Sequence, residues 1–100
     1  MKFLVLWRME LSLLSKEMAH AVAGMAKYGT ELEESGKVLA RYHVVGAHGG
    51  AWIYDVESAE EFEFLLARAP VFNFARYEIF PLAQMAKTPS SPLGGSPGVR

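Results

Sequence analysis

The chain has 100 residues, with 10 Lys and Arg against 11 Asp and Glu, a formal net charge of -1, and 51% hydrophobic against 21% charged residues. That length gives one domain near the lower size at which a chain buries a core alone, and the near-neutral balance offers no basic stripe to a phosphate backbone, so no nucleic-acid partner is expected. The lack of cysteine removes disulfides, thiolate nucleophiles and zinc–thiolate sites, and the apolar excess on so small a body points to a homodimer or higher homo-oligomer.

Lys2 to Met9 reads as a buried strand, with Leu4 and Leu6 on one side and Phe3, Val5 and Trp7 on the other. Arg8 and Glu10 interrupt this run and no small-residue cleavage site follows Leu13-Leu14, so it does not read as a signal peptide. No stretch reaches the roughly 20 apolar residues that span a bilayer. The expectation is a soluble cytoplasmic protein with no membrane partner.

A helix follows, capped by Ser15 and closed by Gly36. Met18, Val22, Met25, Gly29 and Leu32 recur at spacings of four and three, while Lys16, Glu17, Lys27, Glu31 and Glu34 take the remaining faces. Val38 to Val45 and Ala51 to Val56 are rich in β-branched and aromatic residues. Gly46-Ala47-His48-Gly49-Gly50 between them supplies a hairpin connection. Ser58-Ala59-Glu60-Glu61 is a capping box ahead of Phe62, Leu65, Leu66 and Ala69, and Pro70 ends that second helix.

Phe74 to Ala83 is the fourth strand, with Arg76, Glu78 and Phe80 on one side and Ala75, Tyr77 and Ile79 on the other; Pro81 places its end at an edge or a bulge. From Thr88 to Gly98 the chain is rich in Pro, Ser and Gly, with too little apolar surface to offset chain entropy. Residues 1–86 are therefore expected to form the domain, and residues 87–100 a flexible tail or one lying along a neighbouring subunit.

The order βαββαβ is the split unit of α+β, ferredoxin-like domains, with a four-stranded antiparallel sheet and both helices on one face. The other face, apolar here, needs cover. Two sheets pairing face to face give a dimeric α/β barrel, and a ligand cavity is then available between each sheet and its helices.

Over residues 28 to 91 the chain resembles the muconolactone Δ-isomerase family. The likeness rests on Gly36, on Tyr42-His43, on the hairpin Gly46, on Tyr54-Asp55-Val56-x-Ser58 leading into the second helix, on Pro70-Val71-Phe72, and on Pro89-Ser90-Ser91. It implies the ferredoxin-like fold, a multimer built from dimers, no cofactor, and a proton moved on an unsaturated lactone. It also implies a cluster of carboxylate and lysine groups midway along the first helix. The matching stretch here, His20-Ala21-Val22-Ala23-Gly24-Met25-Ala26, holds neither. The pocket wall is thus expected to be apolar and the ligand larger and less acidic than muconolactone.

Moving a proton on such a substrate needs a base for a hydrogen acidified by a conjugated carbonyl, and donors for the developing dienolate oxygen. The titratable candidates are His20, His43 and His48, with Glu78 as a carboxylate alternative. An ordinary imidazole, with a pKa of about 6.5, serves as acid or base near neutrality. His43 comes first because the family resemblance puts a basic residue there, and Arg41, two residues away on the same sheet face, would hold an enolate or carboxylate oxygen. Trp7, Met25, Trp52, Phe72 and Phe74 are the candidate lining for a planar ligand. Each has an ordinary counter-reading: a hydrogen-bonded interface residue for His43, an exposed loop residue for His48, a solvent-facing one for His20, and core or subunit contact for the aromatics.

Three His without HxH or HxxxH spacing give no metal site, the glycines lack the Gly-Lys of a phosphate loop, and no Gly-x-Ser-x-Gly elbow is present. Two function classes remain. One is a cofactor-independent isomerase or cyclase acting by proton transfer on a small unsaturated carbonyl compound, a lactone or a polyketide-like intermediate, with a cofactor-free oxygenase of aromatic substrates as its variant. The other is a non-catalytic ligand-binding or assembly subunit.

Overall fold

A computed structural model describes residues 1–86; the expectation for residues 87–100 lies outside the described residues. The elements are β1 (Lys2–Met9), α1 (Lys16–Glu34), β2 (Val38–His43), β3 (Gly49–Asp55), α2 (Ala59–Arg68) and β4 (Ala75–Leu82), with one 3-10 turn at Leu11–Leu13. The four strands form one sheet in the order β2-β3-β1-β4, every neighbouring pair antiparallel. This is the α+β, ferredoxin-like arrangement. No helix among the described residues is long and apolar enough to cross a membrane.

Helix α1 starts where the Ser15 side chain accepts from the Met18 N–H at 3.0 Å. It stops in a Schellman motif: the Lys37 N–H reaches the Leu32 carbonyl at 2.8 Å, the Gly36 N–H reaches that of Glu33 at 3.1 Å, and Gly36 takes φ +80°. Its buried stripe is Met18, Ala21, Met25, Gly29 and Leu32. Val22, expected on that stripe, is instead 41% exposed, because it overhangs the pocket described below. Helix α2 is capped by the Ser58 hydroxyl, which accepts from the Glu61 N–H at 3.1 Å, while the Glu61 carboxylate accepts from the Glu57 N–H at 2.8 Å.

Both helices cover one face of the sheet. Phe3, Val5, Trp52, Tyr54, Val38, Phe62, Leu65 and Val71 form the centre of the core, with the Phe3 and Phe62 rings stacked at 4.1 Å. Tyr28 Oη donates to the Leu65 carbonyl at 2.5 Å and so ties α1 to α2. Burial pushes the Tyr28 and Tyr54 hydroxyls above the ordinary phenol range and the Tyr77 hydroxyl up to about 12, so all three are neutral fixtures of the interior. The opposite sheet face carries Leu4 and Leu6, paired with Ile53 and Ala51 on one flank and with Phe80 and Glu78 on the other. Phe80 is 44% exposed, and no element among the described residues covers this face.

The hairpin differs from its sequence reading. Strand β2 ends at His43 rather than Val45, and β3 begins at Gly49 rather than Ala51. Gly49 and Gly50 continue the ladder because a side chain there would meet the neighbouring strands: a β-carbon on Gly50 would sit 2.9 Å from the Tyr42 carbonyl oxygen.

Candidate functional site

The register of β2 against β3 slips between Val38 and Ala40, so that Val38 opposes Tyr54, Arg41 opposes Trp52 and His43 opposes Gly50. A single extra residue changes which side chains share a face. Leu39 absorbs it and is 51% exposed. Val38, Arg41 and His43 thereby join Trp52 and Tyr54 on the helix-covered side.

Between α1 and that part of the sheet lies a pocket of about 370 Å³, open to solvent. Val22, Met25, Ala26 and Glu33 of α1 form one wall. Arg41 and His43 of β2, Gly50 and Trp52 of β3, and Trp7 of β1 form the floor and the other wall. The two indoles meet edge to face, with centroids 6.2 Å apart. The mid-helix residues are apolar, as their sequence requires.

Arg41 is held on every side. Its Nε and Nη2 bond a single Glu33 carboxylate oxygen at 3.0 and 2.9 Å. Nη2 also donates to Thr30 Oγ1 at 3.3 Å and Nη1 to the Ala26 carbonyl at 3.4 Å. The guanidinium lies 5.4 Å from the centre of the Trp52 ring, within cation–π range. The opposite wall is Gly29: a β-carbon there would fall 2.7 Å from Arg41 Cδ, so only glycine admits the side chain against the helix. The expectation that Arg41 holds a substrate oxygen meets these contacts in a side chain that is 25% exposed and lines the pocket. Most of its donors and its charge are already engaged, and it braces β2 against α1.

Of the sequence candidates, Trp7, Met25, Arg41, His43 and Trp52 come together around this one pocket. All three histidines are exposed, and of them only His43 belongs to the lining; His20 and His48 stand outside it. Phe72 and Phe74 also lie elsewhere: Phe72 faces Tyr77 at 6.0 Å and is 43% exposed, and Phe74 packs against the core. The reason is topological. The turn they occupy precedes β4, at the far edge of the sheet from β2. Glu78 faces the uncovered side of the sheet, beside Arg8 and Arg76 around a hollow of about 110 Å³, so it cannot share a substrate with His43.

Glu33 is the residue the sequence reading missed. Val22, Ala26 and Glu33 follow one another at helical spacings of four and seven, one row over from the buried stripe, and that row lines the pocket. Among the described residues no group of three or more His, Asp or Glu could hold a metal ion.

Residues 1–87 match the family model described as muconolactone delta-isomerase. The chain is 36% identical over 63 residues to a muconolactone Delta-isomerase of Rhodococcus opacus, covering 63% of this chain and 68% of that protein. It is 32% identical over 69 residues to muconolactone Delta-isomerase 1 of Acinetobacter lwoffii, covering 68% and 72% respectively. Among solved structures, a muconolactone isomerase superposes with a TM-score of 0.76 at 18% identity, over 92% of this chain and 98% of that one. A 5-chloro-2-hydroxyhydroquinone dehydrochlorinase from Burkholderia phenoliruptrix, in complex with 2,5-dihydroxybenzoquinone, gives a TM-score of 0.62 at 16% identity, over 85% and 96%.

Proposed function

The chain belongs to the muconolactone delta-isomerase family, and on that premise we propose that it is a cofactor-independent isomerase or cyclase that moves a proton on a small unsaturated carbonyl compound in the pocket beneath α1. The observation that carries this reading is the convergence of one imidazole, two indoles and a largely apolar helix wall on one open cavity of about 370 Å³, within the size of small-molecule sites.

His43 is the proton carrier in this reading. Neutral imidazole takes the hydrogen α or γ to the carbonyl, the electron pair delocalises into a dienolate, and imidazolium returns the proton at the other end of the conjugated system. The same base serves both half-steps, so atoms and charge balance without any further reactant. Val22, Met25 and Ala26 lie where the substrate body would rest. The Arg41–Glu33 pair closes one end with little net charge, which favours an uncharged substrate over a carboxylate. Flat indole faces favour a planar one.

Conversion of a panel of unsaturated lactones and polycyclic phenols by the wild type and by His43→Ala tests the reading. Loss of His43 should lower turnover by about 10²–10⁴-fold, and equal turnover would remove it from the chemistry. A second copy of the chain is proposed to cover the face built on Leu4, Leu6, Ile53 and Phe80, giving the homodimer or higher assembly expected of so apolar a surface.

A further inference from the structure

We propose that the indole N–H groups of Trp7 and Trp52 form a paired donor site for the carbonyl or enolate oxygen of the ligand. The proposal rests on the reading of this pocket as the substrate site and assigns the group that holds the oxygen, Arg41 having most of its donors engaged by Glu33, Thr30 and Ala26.

The sheet sets up the pair. Trp7 of β1 lies directly opposite Gly50 of β3, and His43 of β2 lies opposite Gly50 on its other side. Base, glycine and indole therefore form one cross-strand row on the pocket floor. Trp52 lies two residues along β3 from Gly50, on the same face. Gly50 is where the two nitrogens come together: the position a β-carbon would take there is 3.0 Å from Trp7 Nε1 and 3.2 Å from Trp52 Nε1, and 2.9 Å from the Tyr42 carbonyl oxygen. The two rings are nearly perpendicular, at 85°, so the nitrogens reach that spot from different directions.

Both nitrogens thus lie beside one point of the Gly50 backbone. Trp7 Nε1 is buried and meets no acceptor among the described residues, whereas buried N–H groups in folded proteins are nearly always paired. An indole nitrogen can only donate. What it awaits is an acceptor, and a cation or an ammonium group is excluded by the same chemistry. Both donors are uncharged, so they gain most when negative charge develops on the oxygen during proton removal. With His43 at the other end of the row, the substrate would lie with its carbonyl oxygen over Gly50 and its acidified carbon toward the imidazole.

The chain has two tryptophans, so the test is a nitrogen-15 correlation spectrum of two indole signals, assigned with Trp7→Phe and Trp52→Phe. The probes are pentafluorophenolate, which carries an oxyanion at neutral pH, and pentafluorobenzene, which lacks the oxygen. The Met25 methyl resonance reports pocket occupancy independently. We expect the phenolate to move both indole protons downfield together with the Met25 methyl. We also expect wild type to prefer the phenolate over pentafluorobenzene by about tenfold or more, and each Trp→Phe variant to lose most of that preference. A Met25 response with the indole protons unmoved, or an undiminished preference in both variants, would overturn the donor pair and leave the pocket reading standing. No Met25 response to either probe would overturn the pocket reading and the donor pair with it. The wild-type spectrum alone decides the matter if a variant fails to fold.

Discussion

Arg41 shows how a side chain that suggests a substrate group in a sequence can also be held by structural contacts in the fold. Its cradle requires Gly29, where a β-carbon would crowd Arg41 Cδ at 2.7 Å. Alanine is the better helix former by about 1 kcal/mol, yet Gly29→Ala should destabilise the protein by about 1–2 kcal/mol, because Arg41 must leave Glu33 and Trp52 to make room. In an Arg41→Ala background the same change should become neutral or stabilising by up to about 1 kcal/mol, and chemical denaturation of the four proteins of that cycle measures it. The candidate site was legible as far as residue type went: His43, Arg41, Trp7, Trp52 and Met25 declare themselves by chemistry and by their place on predicted elements. Glu33 did not, since an acidic residue near a helix C-terminus reads as a solvated face until Arg41 is known to lie across from it. His20 misled for the converse reason. One position on a helix points into the pocket and the next points away, and the apolar stripe alone does not fix which neighbouring row faces the cavity.

The elements themselves were legible because their ends are written in cap chemistry. Ser58 accepts from the Glu61 N–H at 3.1 Å, and Ser58→Ala should cost about 1 kcal/mol of stability by thermal or chemical unfolding. The Glu57 backbone N–H and the Lys37 ammonium hold the Glu61 carboxyl below the usual carboxylate range. A carboxyl whose folded pKa is lowered contributes stability above its unfolded pKa and loses it as pH falls through the folded one. Between about pH 6 and about pH 3 the wild type should therefore lose more stability than Glu61→Gln, and parallel melting curves would reveal the difference. Strand ends were less legible. Val44 and Val45 have strand propensity, but Val45 is 99% exposed in the connection while two glycines carry the ladder. Backbone approach, not side-chain preference, decided that boundary. The slip at Leu39 was hidden altogether, since every residue from Val38 to Val45 is compatible with either face.

At the scale of the whole molecule, the βαββαβ order was readable from alternating periodicities, and with it the one-sided covering of the sheet. What covers the other side follows from the residues there. Leu4, Leu6, Ile53 and Phe80 are half-buried or exposed in the isolated chain, and a second copy presenting the same face would bury them. Ile53→Lys should shift the protein to monomer in sedimentation and lower its melting temperature, whereas a wild type that sediments as a monomer would leave that surface without its proposed partner. The sheet also aligns His43, Gly50 and Trp7 across three strands beneath one helix. The helix stretch beside that row is apolar where the family resemblance implies charged groups, and the pocket there is open. The most direct check is the incorporation of deuterium from heavy water into an unsaturated butenolide, followed by proton NMR with wild type and with His43→Gln. Exchange at the carbon α or γ to the carbonyl with wild type, slowed at least about a hundredfold in the variant, is the predicted result; exchange no faster than in buffer, or equal in both proteins, would contradict it.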